Sequence, residues 1–394
     1  YARRNFITVS HGSREGIPST RRSYSPASYG AALRRCSSMN TTMMTAFSLG
    51  FVATIIAVPP TRFASRSHLK APSIQSCLPG ALSEDWESIM GLDAECIFSQ
   101  PSSVSEDTLV EVYEHGRWRT LRFVDSDPLL RRHVQWTQSV TKVGEAKVIA
   151  FDYIKTMASI AFATAVHGDG AVETPSRVLF MGLGGGTLPQ LWSSISNEYD
   201  DLTALEIDAA VIEAARTQLG LSPRVRVHTG DARLWLQRHV AAAEPQFDVI
   251  FIDIFDSENT TPPEFYSAGF LSHVRRVLTS RGVVVSNMHD GVPHLSRSLH
   301  EAKAAYAAAF PGASCHITVS SDSTEPGAGP AADGGCNVVL TAAMDRSVLV
   351  PLSALTEAAR NAQAIHELPF DVAARLQGLQ MQSDSDVTGH AHGC

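Results

Sequence analysis

Four glycines and one acid have the spacing that most clearly indicates chemistry in this chain. Gly182, Gly184, Gly185 and Gly186 directly follow a short apolar run, and Glu206 lies 20 residues beyond Gly186. Glycines in such a turn let the backbone approach a nucleotide-like ligand closely, and the acid can accept hydrogen bonds from two ribose hydroxyls. A glycine-rich turn alone could simply close a tight connection. Together with the acid, it predicts a site for a nucleoside-containing cofactor.

More acids follow the next apolar runs. Asp231, with Ala232 after it, is placed where a carboxylate could accept the adenine amino group. Asp253 directly follows the run FDVIFI, and Asp256 stands three residues later. An amine nucleophile must lose a proton before it attacks, so Asp253 is the candidate proton acceptor. The alternative is that both Asp253 and Asp256 only cap a strand or the following helix.

An alternation of strands and helices must position these residues. Strands are predicted at 177–181, 202–207, 224–228, 247–252 and 283–287, and helices at 188–196, 209–219, 232–243 and 267–278. This alternation indicates a parallel sheet covered on both faces. The predicted fold class is therefore α/β, with a doubly wound, mostly parallel, Rossmann-like sheet.

Other elements are predicted on both sides of this core. The β-prone runs 109–113 and 118–123 predict a hairpin within a small β domain, and residues 148–164 predict a buried helix. A helix at 295–310 and strands at 315–319 and 337–341 follow the alternation. The predicted divisions are a leader and extension (1–75), a linker (76–105), the small β domain (106–145), the cofactor-binding domain (146–345) with a disordered insert (320–335), and C-terminal helices with a polar tail (346–394).

The leader has the composition of a targeting signal. It carries ten Arg or Lys residues against a single acid, and its 13-residue apolar run at 46–58 suits a signal-peptide core. Residues 61–75 are basic and lack acids, as in a transit peptide. This order predicts delivery to a plastid. The alternatives are a mitochondrial presequence, a single membrane anchor, or a cytoplasmic protein.

The charge of the remaining chain bears on its partners. The net charge is −8, and because the leader carries +9, the remaining residues carry −17. Such a negative charge disfavours the binding of nucleic acid, and it would attract a cationic substrate such as a polyamine or a sulfonium. The six cysteines include no CxxC pair, so neither a zinc site nor a disulfide framework is predicted. We assign no metal, and no membrane partner for the mature domain.

The motifs GLGGGTLPQL, ALEID, HTGDA, FDVIFIDIFDSENTTPPEFYSAGFL and RGVVVSN resemble those of the polyamine aminopropyltransferase (spermidine synthase) superfamily. The resemblance extends from about Leu109 to Thr341 and is greatest to divergent spermidine synthase-like members, in which FDYIKTM precedes a GLGGG turn. It implies a class I methyltransferase type of fold, an S-adenosyl sulfonium cofactor, a small-molecule amine or similar substrate, and a possible homodimer.

The resemblance also implies roles for individual residues. Asp253 is expected beside the reacting amine, with Asp256 near it as a second candidate catalytic residue. Tyr153 and, from the weaker local match HVQ, Gln135 are expected to face the substrate. Tyr266 could close the pocket, or it could instead pack against the sheet. The residues expected to hold the adenosyl cofactor are Gly182, Gly184, Gly185, Gly186, Glu206, Asp208, Asp231 and Ala232.

Two departures from the true synthases affect the choice of cofactor. Their glycine turn carries an Asp that pairs with the aminopropyl amine of decarboxylated S-adenosylmethionine, and Gly185 stands at that position here. Lys155 stands where a polyamine-binding carboxylate is expected and would repel such a substrate. The difference at Gly185 favours intact S-adenosylmethionine over the decarboxylated form, and both differences favour methyl transfer over aminopropyl transfer.

Three functions follow from this reading. The preferred one is transfer of a methyl group from S-adenosylmethionine to an amine or similar nucleophile. The second is a polyamine aminopropyltransferase that uses decarboxylated S-adenosylmethionine. The third is a catalytically idle family member that binds a ligand or partner, against which the retained Asp253 and Asp256 argue.

Overall fold

The computed structural model describes residues 94–129, 135–165, 174–243, 246–256, 260–290, 296–320, 336–349 and 351–381. The predicted leader, the polar tail after residue 381 and nearly all of the predicted insert lie outside these residues. None of the helices within the described ranges is long and apolar enough to cross a membrane.

A four-stranded antiparallel sheet forms the front of the described chain. Its strands follow one another in the order β1 (Glu95–Pro101), β2 (Thr108–His115), β3 (Trp118–Asp125) and β4 (Gln135–Lys142). The predicted hairpin is present, because β2 and β3 pair from Thr108 with Asp125 to His115 with Trp118. Strand β1 lies inside the stretch expected to be linker, and β4 had no strand signal that we recognised.

An eight-stranded sheet forms the centre of the molecule and has the predicted α/β class. Its order is β12-β10-β11-β9-β8-β5-β6-β7, with parallel pairing from β9 to β7 and antiparallel pairing from β9 to β12. The strands are β5 (Arg177–Met181), β6 (Asp201–Glu206), β7 (Arg226–Thr229), β8 (Phe247–Ile252), β9 (Leu278–Asp290), β10 (Ser314–Ser320), β11 (Cys336–Ala343) and β12 (Gln380–Met381).

Seven α-helices are described along the sheet. They are α1 (Asp152–Thr164), α2 (Thr187–Ile195), α3 (Ala209–Thr217), α4 (Ala232–Ala241), α5 (Ala268–Val277), α6 (Arg297–Ala309) and α7 (Leu352–His366). Short 3-10 helices span Pro263–Tyr266, Arg346–Val348 and Ala374–Leu376. Each helix of the alternating region confirms a sequence prediction to within a few residues.

Alternating side chains of the central strands divide the core into two layers. Phe180 and Phe251 face one layer, where Trp192 of α2 stacks on Phe162 of α1 with ring centroids 4.7 Å apart. Met181 and its neighbours on the opposite face pack with α4, α5 and α6. Because apolar side chains cover both faces, the central parallel strands β5 and β8 are nearly continuous hydrophobic runs, as their sequences indicate.

Strand β9 begins five residues earlier than predicted. Its register against β8 shifts between the pairs Phe247 with Leu278 and Val249 with Val283. A Cβ at Gly282 would lie 2.9 Å from the carbonyl oxygen of Phe247, so a glycine is needed in this irregular segment. The polar residues before Val283 therefore conceal the start of the strand.

The order of the strands determines where a ligand can bind. Strand β5 pairs with β6 on one side and with β8 on the other. The sheet is extended on one side of β5 by β6 and β7 and on the other side by β8 and β9. Such a reversal of strand order opens a crevice at the carboxyl ends of the strands. Gly182, Glu206 and Asp253 all stand at this edge.

Candidate active site

The glycine turn is shaped by positive backbone angles and close contacts. Gly182, Gly184 and Gly186 have φ of +88°, +51° and +76°, which favour residues without a Cβ. A Cβ at Gly182 would lie 2.1 Å from the carbonyl oxygen of Asp253, so this glycine also lets β5 approach β8. The turn thus brings backbone to the mouth of the crevice, as the sequence predicts.

Ser139 of strand β4 supports the same turn from the front sheet. The backbone N–H of Gly185 donates a 2.7 Å hydrogen bond to Ser139 Oγ. A Cβ at Gly185 would lie only 2.6 Å from the Cβ of Ser139. Gly185 therefore needs to be small because of its neighbour. Neither Gly185 nor Gly186 lines the crevice, whose wall at this point includes Gly184 and the uncharged Ser139.

Glu206 ends β6 with its carboxylate held by backbone N–H groups. Leu183 N donates to Oε2 at 3.0 Å, while Ile207 N and Asp208 N donate to Oε1 at 2.9 and 3.0 Å. Burial raises the pKa of this carboxyl, and the three N–H groups oppose the rise. Glu206 also lines the crevice, so its predicted ribose contact is sterically available.

Asp208, two residues later, has a different position. Its Oδ1 caps α3 by accepting from Ala210 N at 2.9 Å. The same carboxylate accepts from Ser102 Oγ at 2.6 Å and from the N and Oγ of Ser103 at 3.0 and 2.9 Å. It is buried and joins the front sheet to the central domain, so the structure gives it a supporting place outside the cavity wall.

Asp231 lines the crevice next to Ala232 but is already ion-paired. Arg233 Nη2 lies 2.6 Å from Asp231 Oδ2, and this pairing is the main reason that the pKa of Asp231 is lowered. Asp231 Oδ1 caps α4 by accepting from the Arg233 N–H at 2.7 Å. Arg233 also reaches Glu264 at 3.0 Å, across the rim of the crevice. An adenine amino group would therefore share this carboxylate with a guanidinium.

Asp253, Tyr153 and Asn287 meet at the other end of the crevice. Asn287 Nδ2 donates to Asp253 Oδ1 at 2.9 Å, and the Tyr153 hydroxyl donates a long bond of 3.4 Å to Oδ2. Burial raises the pKa of Asp253 to about 6, and these two donors limit the rise. Burial also raises the pKa of Tyr153 well above its ordinary value, so this phenol is neutral.

Asp256 and Tyr266, both predicted site residues, lie outside the crevice wall. Asp256 is exposed and accepts from Thr260 N and Oγ1 at 3.0 and 2.9 Å within the loop after β8, so it does not cap the following helix, whose N-cap is Ser267. Tyr266 is buried in the core, and its neighbour Phe265 lines the crevice instead. Gln135 is the first residue of β4, and its side chain lies outside the described part of the structure.

The structure corrects the argument drawn from Lys155. Its Nζ is buried against Asp152 Oδ1 at 2.9 Å, and Arg375 holds the other oxygen of Asp152 at 2.8 Å. Asp152 lines the crevice, whereas Lys155 lies behind it. A lysine whose charge is paired in this way does not present a free cation to an incoming polyamine.

The crevice itself is a cavity of about 460 Å³ between the glycine turn and Asp253. Aromatic side chains form much of its wall, among them Phe123, Phe151, Phe255 and Phe265. Its size lies within the range of small-molecule sites, and apolar walls with a few convergent polar groups are their usual composition. No group of three or more His, Cys, Asp or Glu within the described ranges could hold a metal ion.

Sequence reasoning missed several wall residues. Asn287 is the last residue of the predicted strand VVVSN, so the rule that ligands bind at strand ends could have selected it. Arg233 could have been suspected from its place beside Asp231. Ser139 and Phe123 carry no local signal, because the front sheet brings them to the crevice from a distant part of the sequence.

Comparison with known proteins agrees with this geometry. Residues 160–320 match the family model of the spermine/spermidine synthase domain. A polyamine aminopropyltransferase of Vibrio vulnificus is 27% identical over 205 residues, which cover 49% of this chain and 63% of that protein. The mouse eEF1A lysine and N-terminal methyltransferase is 34% identical over 125 residues, which cover 30% of this chain and 18% of that protein. The chain thus spans less than two thirds of each of these relatives.

The fold has a counterpart among solved structures. A probable spermidine synthase from Corynebacterium glutamicum superposes with a TM-score of 0.51 at 19% identity, covering 75% of this chain and 94% of that one. The family match over residues 160–320 and this shared fold together make the central part of the chain similar to spermine/spermidine synthase domains. Its relatives include both aminopropyl and methyl transferases.

Proposed function

We propose that this protein is an S-adenosylmethionine-dependent transferase that moves a methyl group to an amine or a similar nucleophile. The crevice offers one end to an adenosyl group, at Glu206 and Asp231, and the other end to an acceptor, at Asp253. The distribution of relatives between methyl and aminopropyl transferases supports the broader class. The proposal of methyl transfer depends on the wall between the two ends.

The residues present fit an adenosyl sulfonium. The glycine turn brings backbone close to the crevice, and the Glu206 carboxylate is fixed by three N–H groups before any ribose arrives. When bound, such a cofactor supplies a carbon attached to a positively charged sulfur, which is open to displacement. The protein's main contribution to such a displacement is to hold the reactants in line.

Asp253 is the group placed to handle the acceptor's proton. A pKa near 6 keeps its carboxylate ionised at neutral pH while leaving it basic enough to share a proton with an amine. Asn287 and Tyr153 fix its orientation from two sides. A neutral Tyr153 adds no charge that would compete with an ammonium group.

The observation that carries the choice of methyl transfer is the uncharged crevice wall at Ser139, which packs against Gly185. The resemblance places an amine-binding Asp at the position of Gly185 in true synthases, and here the space that such a side chain would need is filled by Ser139. An uncharged wall offers no partner to an aminopropyl ammonium and no repulsion to the carboxylate of intact S-adenosylmethionine. The paired Lys155 no longer contributes to this argument.

Aminopropyl transfer is the second candidate. The alignment with the Vibrio protein favours it, because that alignment covers more of this chain than the alignment with the mouse methyltransferase does. A catalytically idle protein is less consistent with Asp253, whose buried carboxylate is costly to keep unless it has a use. Plastid delivery, and a homodimer, stay predictions.

The deciding experiment is calorimetric titration of the full chain with S-adenosylmethionine, its decarboxylated form and methylthioadenosine. Methylthioadenosine tests the adenosyl site alone. We expect all three to bind, with the intact cofactor tighter than the decarboxylated one. Tighter binding of the decarboxylated form, together with aminopropyl transfer to putrescine, would replace methyl transfer with the second candidate.

A further inference from the structure

The acids in the crevice wall differ in what already neutralises them. Among the described residues, these acids are Asp152, Glu206, Asp231, Asp253 and Glu264. At the adenosyl end, Glu206 is held by backbone N–H groups, and Arg233 pairs with both Asp231 and Glu264. Any cation that binds at the acceptor end therefore depends on the other two acids, Asp152 and Asp253.

Asp152 belongs to the acceptor end but is fully paired. It is the first residue of α1 and precedes Tyr153, whose hydroxyl reaches Asp253. Its side chain is 10% exposed, with Lys155 Nζ 2.9 Å from Oδ1 and Arg375 Nη1 2.8 Å from Oδ2. Neither cation is part of the crevice wall. Two cations and one acid give this group a formal charge of +1, so Asp152 offers no unpaired anion to a substrate.

Asp253 has no cationic partner within the described ranges. Its hydrogen bonds come from Asn287 and from a neutral Tyr153. The charge of Asp253 balances that of the Asp152 group, so the acceptor end as a whole is formally neutral. One ammonium group gains a carboxylate partner at Asp253. A second ammonium group at this end would lose its water without gaining a free carboxylate, which is unfavourable.

Much of the remaining wall at the acceptor end is apolar. Phe151 stacks on Tyr153 with ring centroids 5.8 Å apart, and both side chains line the crevice. Phe255, two residues after Asp253, and Val319 of β10 also line it. Burial of a carbon chain or ring against such side chains is favourable, whereas burial of a second charge is not.

We propose that the acceptor is a monoamine, with its single amino group bound at Asp253 and an apolar body packed against the aromatic wall. Diamines and longer polyamines are disfavoured, because Asp152 is occupied by Lys155 and Arg375. This inference rests on the proposed function, since it names the class of acceptor for the same site. Arg375 touches no substrate and sets the preference through Asp152.

The test compares two amines of equal length in the full chain. n-Pentylamine differs from putrescine only in a methyl group that replaces the second ammonium group. Calorimetry at pH 7.5 measures both affinities in the presence of saturating S-adenosylhomocysteine, the thioether that remains after methyl transfer, so no turnover occurs. We expect n-pentylamine to bind at least about tenfold more tightly than putrescine.

Two variants of Arg375 test the cause of this preference. Arg375→Gln removes one cation from Asp152, and Arg375→Lys is the matched control that keeps the charge. Arg375→Gln should strengthen the binding of putrescine relative to n-pentylamine by about threefold to tenfold, because Asp152 and Lys155 then carry no net charge. Arg375→Lys should keep the wild-type ratio. Thermal unfolding checks that each variant is folded, and the wild-type comparison needs neither of them.

The possible failures can be told apart. A wild-type chain that binds S-adenosylhomocysteine but binds neither amine, or binds putrescine at least as tightly as n-pentylamine, overturns the inference and leaves the adenosyl site standing. Equal ratios in folded Arg375→Gln and Arg375→Lys proteins overturn the role of the paired Asp152. A chain that does not bind S-adenosylhomocysteine overturns the proposed function, and the present inference falls with it.

Discussion

The two ends of the crevice hold their carboxylates in different ways. Glu206, at the adenosyl end, is bonded by three backbone N–H groups from its own strand end and from the glycine turn. Asp253, at the acceptor end, is bonded by the side chains of Asn287 and Tyr153. Backbone support depends only on the fold, whereas side-chain support depends on which residues three separate elements bring together. The first end is therefore suited to a constant ligand, and the second to one that differs among relatives.

The largest effect is expected from removing the charge at the adenosyl end. Glu206→Gln should weaken the binding of methylthioadenosine by about a hundredfold, because a neutral amide replaces a charged acceptor of ribose hydroxyls. In addition, the amide NH₂ group would face backbone N–H groups that can only donate. Calorimetry measures the affinity, and thermal unfolding measures the accompanying loss of stability. A folded Glu206→Gln protein that bound methylthioadenosine with wild-type affinity would contradict the assignment of Glu206 to the adenosyl end.

At the acceptor end, the corresponding effect is a dependence of stability on pH. Burial raises the pKa of Asp253 from 3.8 to about 6, so the folded state binds this proton more tightly than the unfolded state does. Ionising it costs the folded protein stability as the pH rises from about 4 to about 6, and the full cost is about 3 kcal/mol. Asp253→Asn removes this titration.

Urea unfolding of wild type and Asp253→Asn at pH 4 and pH 7.5 measures this difference. The variant should gain stability relative to the wild type at pH 7.5, by about 2.5 kcal/mol more than at pH 4, where the unfolded carboxyl is already partly ionised. Methyl transfer, where an acceptor is found, should rise with an apparent pKa near 6 in the wild type. A pH-independent difference between the two proteins would show that Asp253 is not held in the environment described.

A third prediction concerns the wall between the two ends. Gly185→Asp alone should weaken both intact and decarboxylated S-adenosylmethionine, because its Cβ would lie 2.6 Å from the Cβ of Ser139. Ser139→Gly combined with Gly185→Asp removes that clash and should shift preference toward the decarboxylated form by about tenfold. Ser139→Gly alone is the control. If the double variant kept the wild-type preference, charge at this wall would not govern the choice of cofactor.

The smallest effect on ligand binding is expected from substituting Asp208. This variant tests whether the acid has a structural role or binds the ligand. Asp208→Ala removes the cap of α3 and the contacts to Ser102 and Ser103, so the free energy of unfolding should fall by about 1–2 kcal/mol. Affinity for methylthioadenosine should change less than about threefold. A large loss of affinity with unchanged stability would return Asp208 to the cofactor site, where the sequence first placed it.

The same contrast explains what the sequence could predict. The glycine turn, Glu206 and Asp253 could be assigned because each lies at a strand end within one contiguous alternation. Ser139 and Phe123 could not, because the front sheet brings them to the crevice and no local pattern records that contact. Tyr266 and Phe265 are adjacent, and only the 3-10 helix at Pro263–Tyr266 determines which of them faces the crevice. The charge of Lys155 was visible in the sequence, but its pairing with Asp152 was not.

The hydrogen bond from Gly185 to Ser139 joins groups 46 residues apart and crosses between the two sheets. Because the small sheet also supplies part of the crevice wall, a ligand that binds only the docked form is coupled to docking, and this coupling free energy is the same in both directions. At a hundred times its dissociation constant, a ligand specific for the docked form adds about 2.7 kcal/mol to that form. A bound cofactor would then also lengthen the lifetime of the folded protein, because the contact between the small sheet and the central domain would open more often in its absence.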